Sequence, residues 1–145
     1  MAITTNAICN SFKKELLEAK HNFSAAPAGN NFKLAMYNST AVLGKSTTSY
    51  TTGGEVTSPA GYTAGGKALV NTGTSVSSSV AITTFGNLSF TNVTLTARGA
   101  LIYNTSNSNT GVAVLDFGGN KTATAGTFTI QFPAYTTSAA ILRIS

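Results

Sequence analysis

Charge is what this sequence holds least of. Asp, Glu, Lys and Arg make up 9% of its 145 residues, where an ordinary soluble domain carries about a quarter. Coiled coils, surface-charged helical bundles and disordered acidic or basic tails draw on the residues that are scarce here, and all three are excluded. Cys9 is the single cysteine, so no disulfide can close within the chain. Structural zinc takes four Cys or His ligands, and Cys9 and His21 are the whole supply. A calcium loop needs clustered carboxylates, whereas Glu15, Glu18, Glu55 and Asp116 are dispersed. Trp is absent, which weakens a carbohydrate platform. No run approaches the roughly twenty apolar residues that span a bilayer, and Met-Ala-Ile-Thr-Thr lacks the basic and apolar stretches of a secretory signal. The expectation is synthesis in a cytoplasm, with no membrane association.

What is abundant is Thr, Ser and Asn, about a third of the chain together, against a background of 42% hydrophobic residues and 14 Gly. Thr suits a pleated, half-buried surface, and Gly and Asn suit its turns. A domain of this length hides roughly two-thirds of the surface its unfolded chain exposes, so one β domain spanning residues 1–145 can rest on its core alone. Nine Lys and Arg outweigh four Asp and Glu, for a net charge of +5. The cations are scattered singly after residue 20, which disfavours nucleic acid, since phosphate affinity needs several cations on one face. An acidic protein surface is the better match.

Residues 5–23 read as the one helix, ending about residue 22: Ile8, Phe12, Leu16, Ala19 and Phe23 recur at steps of three and four. Thr4, Thr5 or Asn6 would cap its start, and His21 with Asn22 its end. From Phe32 the period changes to two, with Phe32, Leu34 and Met36 expected on one buried face. Residues 44–66 read as a long exposed excursion anchored by Val56 and Tyr62. Further strands are expected at 67–72, 74–83, 88–97, 100–104, 112–117, 127–132 and 140–144, with turns at 98–99, 104–111 and 118–126. About eight strands with a single helix predict an antiparallel β-sandwich or jelly roll, mainly β in class, because a parallel sheet needs a helix after most strands.

Parts for catalysis are few. A Ser-His-Asp set would have to recruit His21 and Asp116, but His21 reads as a helix cap and Asp116 as a strand residue paired with Arg98 or Lys121. Cys9 reads as a small buried apolar residue. Glu55 and Asp116 as a glycosidase pair have no support beyond being two acids. Gly61-Tyr-Thr-Ala-Gly-Gly66-Lys67-Ala68 has the glycine and lysine spacing of a phosphate loop but Ala where Ser or Thr holds magnesium, and it enters a strand rather than a helix. It reads as a glycine-rich turn. No catalytic residue, cofactor or metal is therefore assigned. Phe85, Phe90, Phe117, Phe128 and Phe132 fall at core-facing positions, while Tyr37, Tyr50, Tyr62, Tyr103 and Tyr135 would place hydroxyls at the surface, Tyr50 and Tyr62 against a partner protein.

The stretch Ser11 to Phe23, Ser-Phe-Lys-Lys-Glu-Leu-Leu-Glu-Ala-Lys-His-Asn-Phe, resembles the helical opening of small virion proteins of tailed bacteriophages. The resemblance continues through Phe32-Lys-Leu-Ala-Met-Tyr37, Gly61 to Gly66, Thr96 to Asn104, Val114-Leu-Asp-Phe117, Phe128-Thr-Ile-Gln-Phe132 and Ile141-Leu-Arg-Ile144. It implies a virion structural protein. Within that class the favoured expectation is a capsid cement or decoration protein on the capsid exterior, self-associating as a homotrimer and bound to the major capsid protein. Ile8, Phe12 and Leu16 would supply the apolar contact. The alternatives are a head-fibre, tail or neck component, and a carbohydrate-binding module.

Overall fold

The computed structural model describes residues 3–57 and 61–145. The chain is mainly β, as its composition predicts, with every paired strand antiparallel. In chain order the elements are β1 (Ala7–Ile8), α1 (Asn10–Leu17), β2 (Phe32–Tyr37), β3 (Lys67–Ala68), β4 (Asn71–Ser77), β5 (Val80–Phe85), β6 (Leu88–Asn104), β7 (Thr110–Ile130) and β8 (Leu142–Ile144). They form a five-stranded sheet, β1-β7-β6-β2-β3, and a three-stranded sheet, β4-β5-β8. Phe85 of the small sheet meets Phe32 of the large one at 5.6 Å between ring centroids, and Phe23 stacks on Phe32 at 4.6 Å. These rings join the two layers, as the inner faces of a sandwich do.

The helix is shorter than its apolar spacing predicts. Ala7 and Ile8 pair with Val114 and Ala113 of β7 instead of entering a turn of helix, so the sheet ladder overrides a weak local preference. Cys9 takes the position expected of Thr4, Thr5 or Asn6, and its side chain makes no capping bond. Glu18 closes the helix and Ala19 turns left-handed at φ 58°. Beyond that point the chain leaves the helical path, so His21 and Asn22 do not cap α1, and Phe23 reaches the core from an irregular segment.

β2 departs from the expected single buried face. Ala35 and Tyr37 are as inaccessible as Leu34 and Met36, because the 44–66 excursion folds against the strand: Val56 N–H donates to Met36 O at 2.9 Å and the Tyr37 hydroxyl to Thr51 O at 2.6 Å. Gly66 ends this excursion at φ 78°, where a Cβ would lie 1.8 Å from Leu34 O. The stretch that mimics a phosphate loop is thus a tight turn delivering Lys67 into β3.

The expected turn at 98–99 does not exist. Strands 88–97 and 100–104 are one strand, β6, and its neighbour β7 absorbs 112–117 and, of the strand expected at 127–132, residues 127–130. A Cβ on Gly99 would approach Leu115 O to 2.3 Å and the Ile3 side chain to 2.8 Å, so this glycine serves close backbone approach within a strand. The expected turn at 118–126 is instead a bulged strand: the register passes from Gly99↔Asp116 to Ala97↔Lys121, and residues 117–120 loop out. The turn at 104–111 is present and joins β6 to β7. Conversely, the strand expected at 74–83 is a hairpin, with Ser78 and Ser79 at φ 49° and 65° between β4 and β5. Outside the five-stranded region, residues 88–97 and 121–130 pair with each other as a two-stranded ribbon. Its inner positions Leu88, Phe90, Val93, Leu95 and Ala97 are buried.

Candidate functional site

Every carboxylate side chain in the sequence is engaged within the chain. Glu18 is held by Lys14 and by Lys20, the latter at 3.0 Å. Asp116 accepts from Arg98 at 2.7 Å, the pairing its sequence position predicts. Glu15 meets His21 Nε2 at 2.6 Å. Glu55 is buried, with no cation bonded to it, among hydroxyls. Lys13, Lys33, Lys45, Lys67, Lys121 and Arg143 form no ion pair among the described residues. The unpaired side-chain charge is consequently of one sign.

Two polar clusters hold the irregular segments to the sheets. In the first, Tyr50 and Tyr62 donate their hydroxyls to Glu55 Oε2 and Oε1 at 2.6 and 2.7 Å, and Gly65 N–H donates to Oε1 at 2.7 Å. Tyr62 also accepts from Met36 N–H at 3.0 Å, and Tyr103 donates to Gly65 O at 2.5 Å. Burial, and then the bond to Glu55, push the Tyr50 and Tyr62 phenols above their usual range; for Tyr37 burial and then the charge of Glu55 do the same. The tyrosines expected at the surface therefore turn inward: Tyr62 and Tyr37 are buried, Tyr103 is buried, and Tyr50 is half-buried against the Tyr103 ring at 4.8 Å. Only Tyr135 among the five is exposed. Tyr62 has no free surface to offer a partner.

In the second cluster, Ser106 N–H donates to Asn104 Oδ1 at 3.0 Å, so the Asn104 amide nitrogen faces Asn30 Oδ1 at 2.9 Å and His21 Nδ1 at 3.0 Å. That geometry makes Nδ1 of His21 an acceptor and Nε2 the donor to Glu15. His21 is a buried link between α1 and the β6–β7 turn. Its ring packs 4.7 Å from Phe12, and its two nitrogens are taken up by Glu15 and Asn104. Cys9 is fully buried as its reading predicts, and burial, with a smaller contribution from the charge of Glu15, pushes its thiol up to about 11. Among the described residues no group of three or more His, Cys, Asp or Glu is placed to hold a metal ion.

The expected contact residues Ile8, Phe12 and Leu16 do come together, along one wall of a groove of about 760 Å³ between α1 and the small sheet. Phe12 is only 2% exposed and belongs to the chain's own core, so it cannot supply a partner contact; Ile8 and Leu16 are half-buried at the rim. The facing wall carries Ala81, Leu142 and Ile144. Val76, Ala81 and Ile144 stand opposite one another across three strands, giving one apolar row. Leu17 at 91%, Val76 at 72% and Ile144 at 58% are the most exposed apolar side chains near it.

Sequence reasoning missed Leu17, Ile144 and the central place of Glu55. Leu17 lies off the apolar stripe, and a leucine on the polar side of an amphipathic helix is the signal that marks it. Glu55 is the lone acid in a long uncharged stretch between two tyrosines. No family model, curated protein or solved structure matches this chain.

Proposed function

We propose that this chain is a structural subunit of a tailed-bacteriophage virion, a cement protein that binds the outer shell and bridges neighbouring capsomers. The observation that carries the reading is the excess of unpaired cations: all four carboxylates are bonded within the chain, Glu18 at its surface, while six Lys and Arg side chains form no ion pair among the described residues. Such a surface is attracted to an acidic protein shell, and the attraction speeds encounter at low salt and weakens as salt screens it. Binding the assembled shell and not its free subunits stabilises the shell by mass action. No redox or metal clip is needed, because the core and two polar clusters hold the fold.

The head-fibre, tail or neck reading draws on the β6–β7 ribbon, whose outer face is lined with hydroxyls such as the Thr96–Thr122 pair at 2.8 Å and Ser89–Thr129 at 3.1 Å. The carbohydrate-binding reading loses Tyr62, one of its two motivating aromatics, to the interior. Copy number in purified virions, measured by quantitative mass spectrometry against the major capsid protein, separates these readings. A ratio of order one is the expected result for cement; a few copies per particle would move the chain to the tail, neck or a fibre, and absence would sink the virion assignment.

A further inference from the structure

We infer that the groove between α1 and the small sheet is the docking site for an acidic, apolar-faced segment of a partner protein. The inference rests on the shell-binding reading and names the face of the chain that meets the shell. Leu17 contributes little to its own fold at 91% exposure, and Ile144 at 58% is similarly open. Burying such side chains on association is favourable, because it removes apolar surface from water. The groove also has a charge pattern. Lys13 and Arg143 line it, and no Asp or Glu does. Both cations touch only neutral oxygens, Lys13 the Asn10 Oδ1 and Arg143 the Thr137 carbonyl, each at 3.4 Å. Such long bonds to neutral acceptors leave the two cations ready for carboxylates.

The same pattern argues against a second copy as the occupant. A neighbouring chain has no spare side-chain carboxylate to bring to Lys13 and Arg143, because Glu15, Glu18, Glu55 and Asp116 are already engaged. An occupant from another protein supplies what this chain lacks: apolar side chains for Leu16, Leu17, Leu142 and Ile144, flanked by Asp or Glu.

The test uses the isotopically labelled full chain and two synthetic amphipathic peptides that share their apolar positions, one carrying Glu and the other Lys at the polar positions. The Glu peptide is expected to shift the amide resonances of Leu17, Ala81 and Ile144, and the Lys peptide to leave them in place. Leu17→Asp with Ile144→Asp, both at exposed positions and expected to keep the wild-type urea midpoint, should weaken the Glu peptide about tenfold or more. Lys13→Glu with Arg143→Glu should reverse the preference between the peptides, a gain that no folding defect produces. Equal shifts by both peptides, or none, would overturn the inference, as would concentration-dependent self-association abolished by Leu17→Asp. Rebinding to shells stripped of this protein separates the two levels: if wild type and the Leu17→Asp, Ile144→Asp variant rebind alike, the groove is wrong and the cement reading stands. If wild type takes the Glu peptide but no shell, the groove stands and the cement reading falls.

Discussion

Glu15 meets an imidazole, whereas Glu55 meets two phenols and a backbone N–H. Both carboxylates fasten an irregular stretch to the large sheet, one through a basic ring and the other through neutral donors alone. The Glu15 arrangement ties α1 through His21 to Asn104 at the β6–β7 turn. The Glu55 arrangement gathers donors from residues 50, 62 and 65 around a buried oxygen pair. Where no cation is within reach, a buried carboxylate can be satisfied by several dipoles, but each dipole must then be positioned by its own segment. Glu55 therefore organises more of the backbone than Glu15 does.

That contrast is sharpest under truncation. Glu55→Ala leaves two hydroxyls and one N–H without their acceptor, each orphan costing about 1–3 kcal/mol, so a loss on the order of 4 kcal/mol is expected in urea unfolding; a loss below about 1 kcal/mol would erase the distinction. High pH probes the same site without mutation. The Tyr37, Tyr50 and Tyr62 phenols are raised in the folded chain above the ordinary value of about 10 in the unfolded one. Their contribution to stability is thus complete below about pH 10 and lost as the pH rises beyond it. Tyrosinate absorbance should grow in step with loss of near-ultraviolet circular dichroism; ionisation in a still-folded chain would contradict the burial. His21→Ala removes the ring between Glu15 and Asn104 and its contact with Phe12, with an expected cost of about 2–3 kcal/mol, smaller than at Glu55 because Asn104 keeps Asn30 and Ser106. Arg98→Ala should cost least, about 1 kcal/mol, since that pair lies in partial contact with solvent; a loss matching His21→Ala would show that ion pairs matter here more than buried dipoles.

The sequence makes the layers readable and the joints obscure. Alternation at Phe32, Leu34 and Met36 marks β2, and the Ser and Asn run before Gly111 marks the turn into β7. Ile8 and Phe23 sit at helical spacing from Phe12, yet one joins a sheet and the other an aromatic stack, because pairing with Ala113 and packing on Phe32 are offered by residues far along the chain. Gly99 looks like a turn until Leu115 O and Ile3 are seen against it. Glu55 and its donors all lie within residues 50–65, but nothing in that window shows that Tyr62 and Gly65 are held by Met36 and Tyr103 from distant strands. Leu16 was legible as a contact candidate from its stripe; Ile144 was not, since its partners in the apolar row, Val76 and Ala81, are more than sixty positions away.

The order of pairing also bears on how the protein is made. β1 joins Ala113 and Val114, and β2 joins residues from Gly99 to Asn104. A chain emerging from the ribosome therefore presents β1 and β2 before the long strands that pair with them exist. β2 can receive the excursion and pair with β3 once residue 68 has emerged, and the β4–β5 hairpin closes next, but β1 finds its partner only when β7 arrives, while apolar residues such as Phe12 and Phe23 stand in water. Truncation before β7 would leave β1 without its partner strand, whereas an early start on the β6–β7 hairpin would shorten the interval in which the opening segment is open to aggregation.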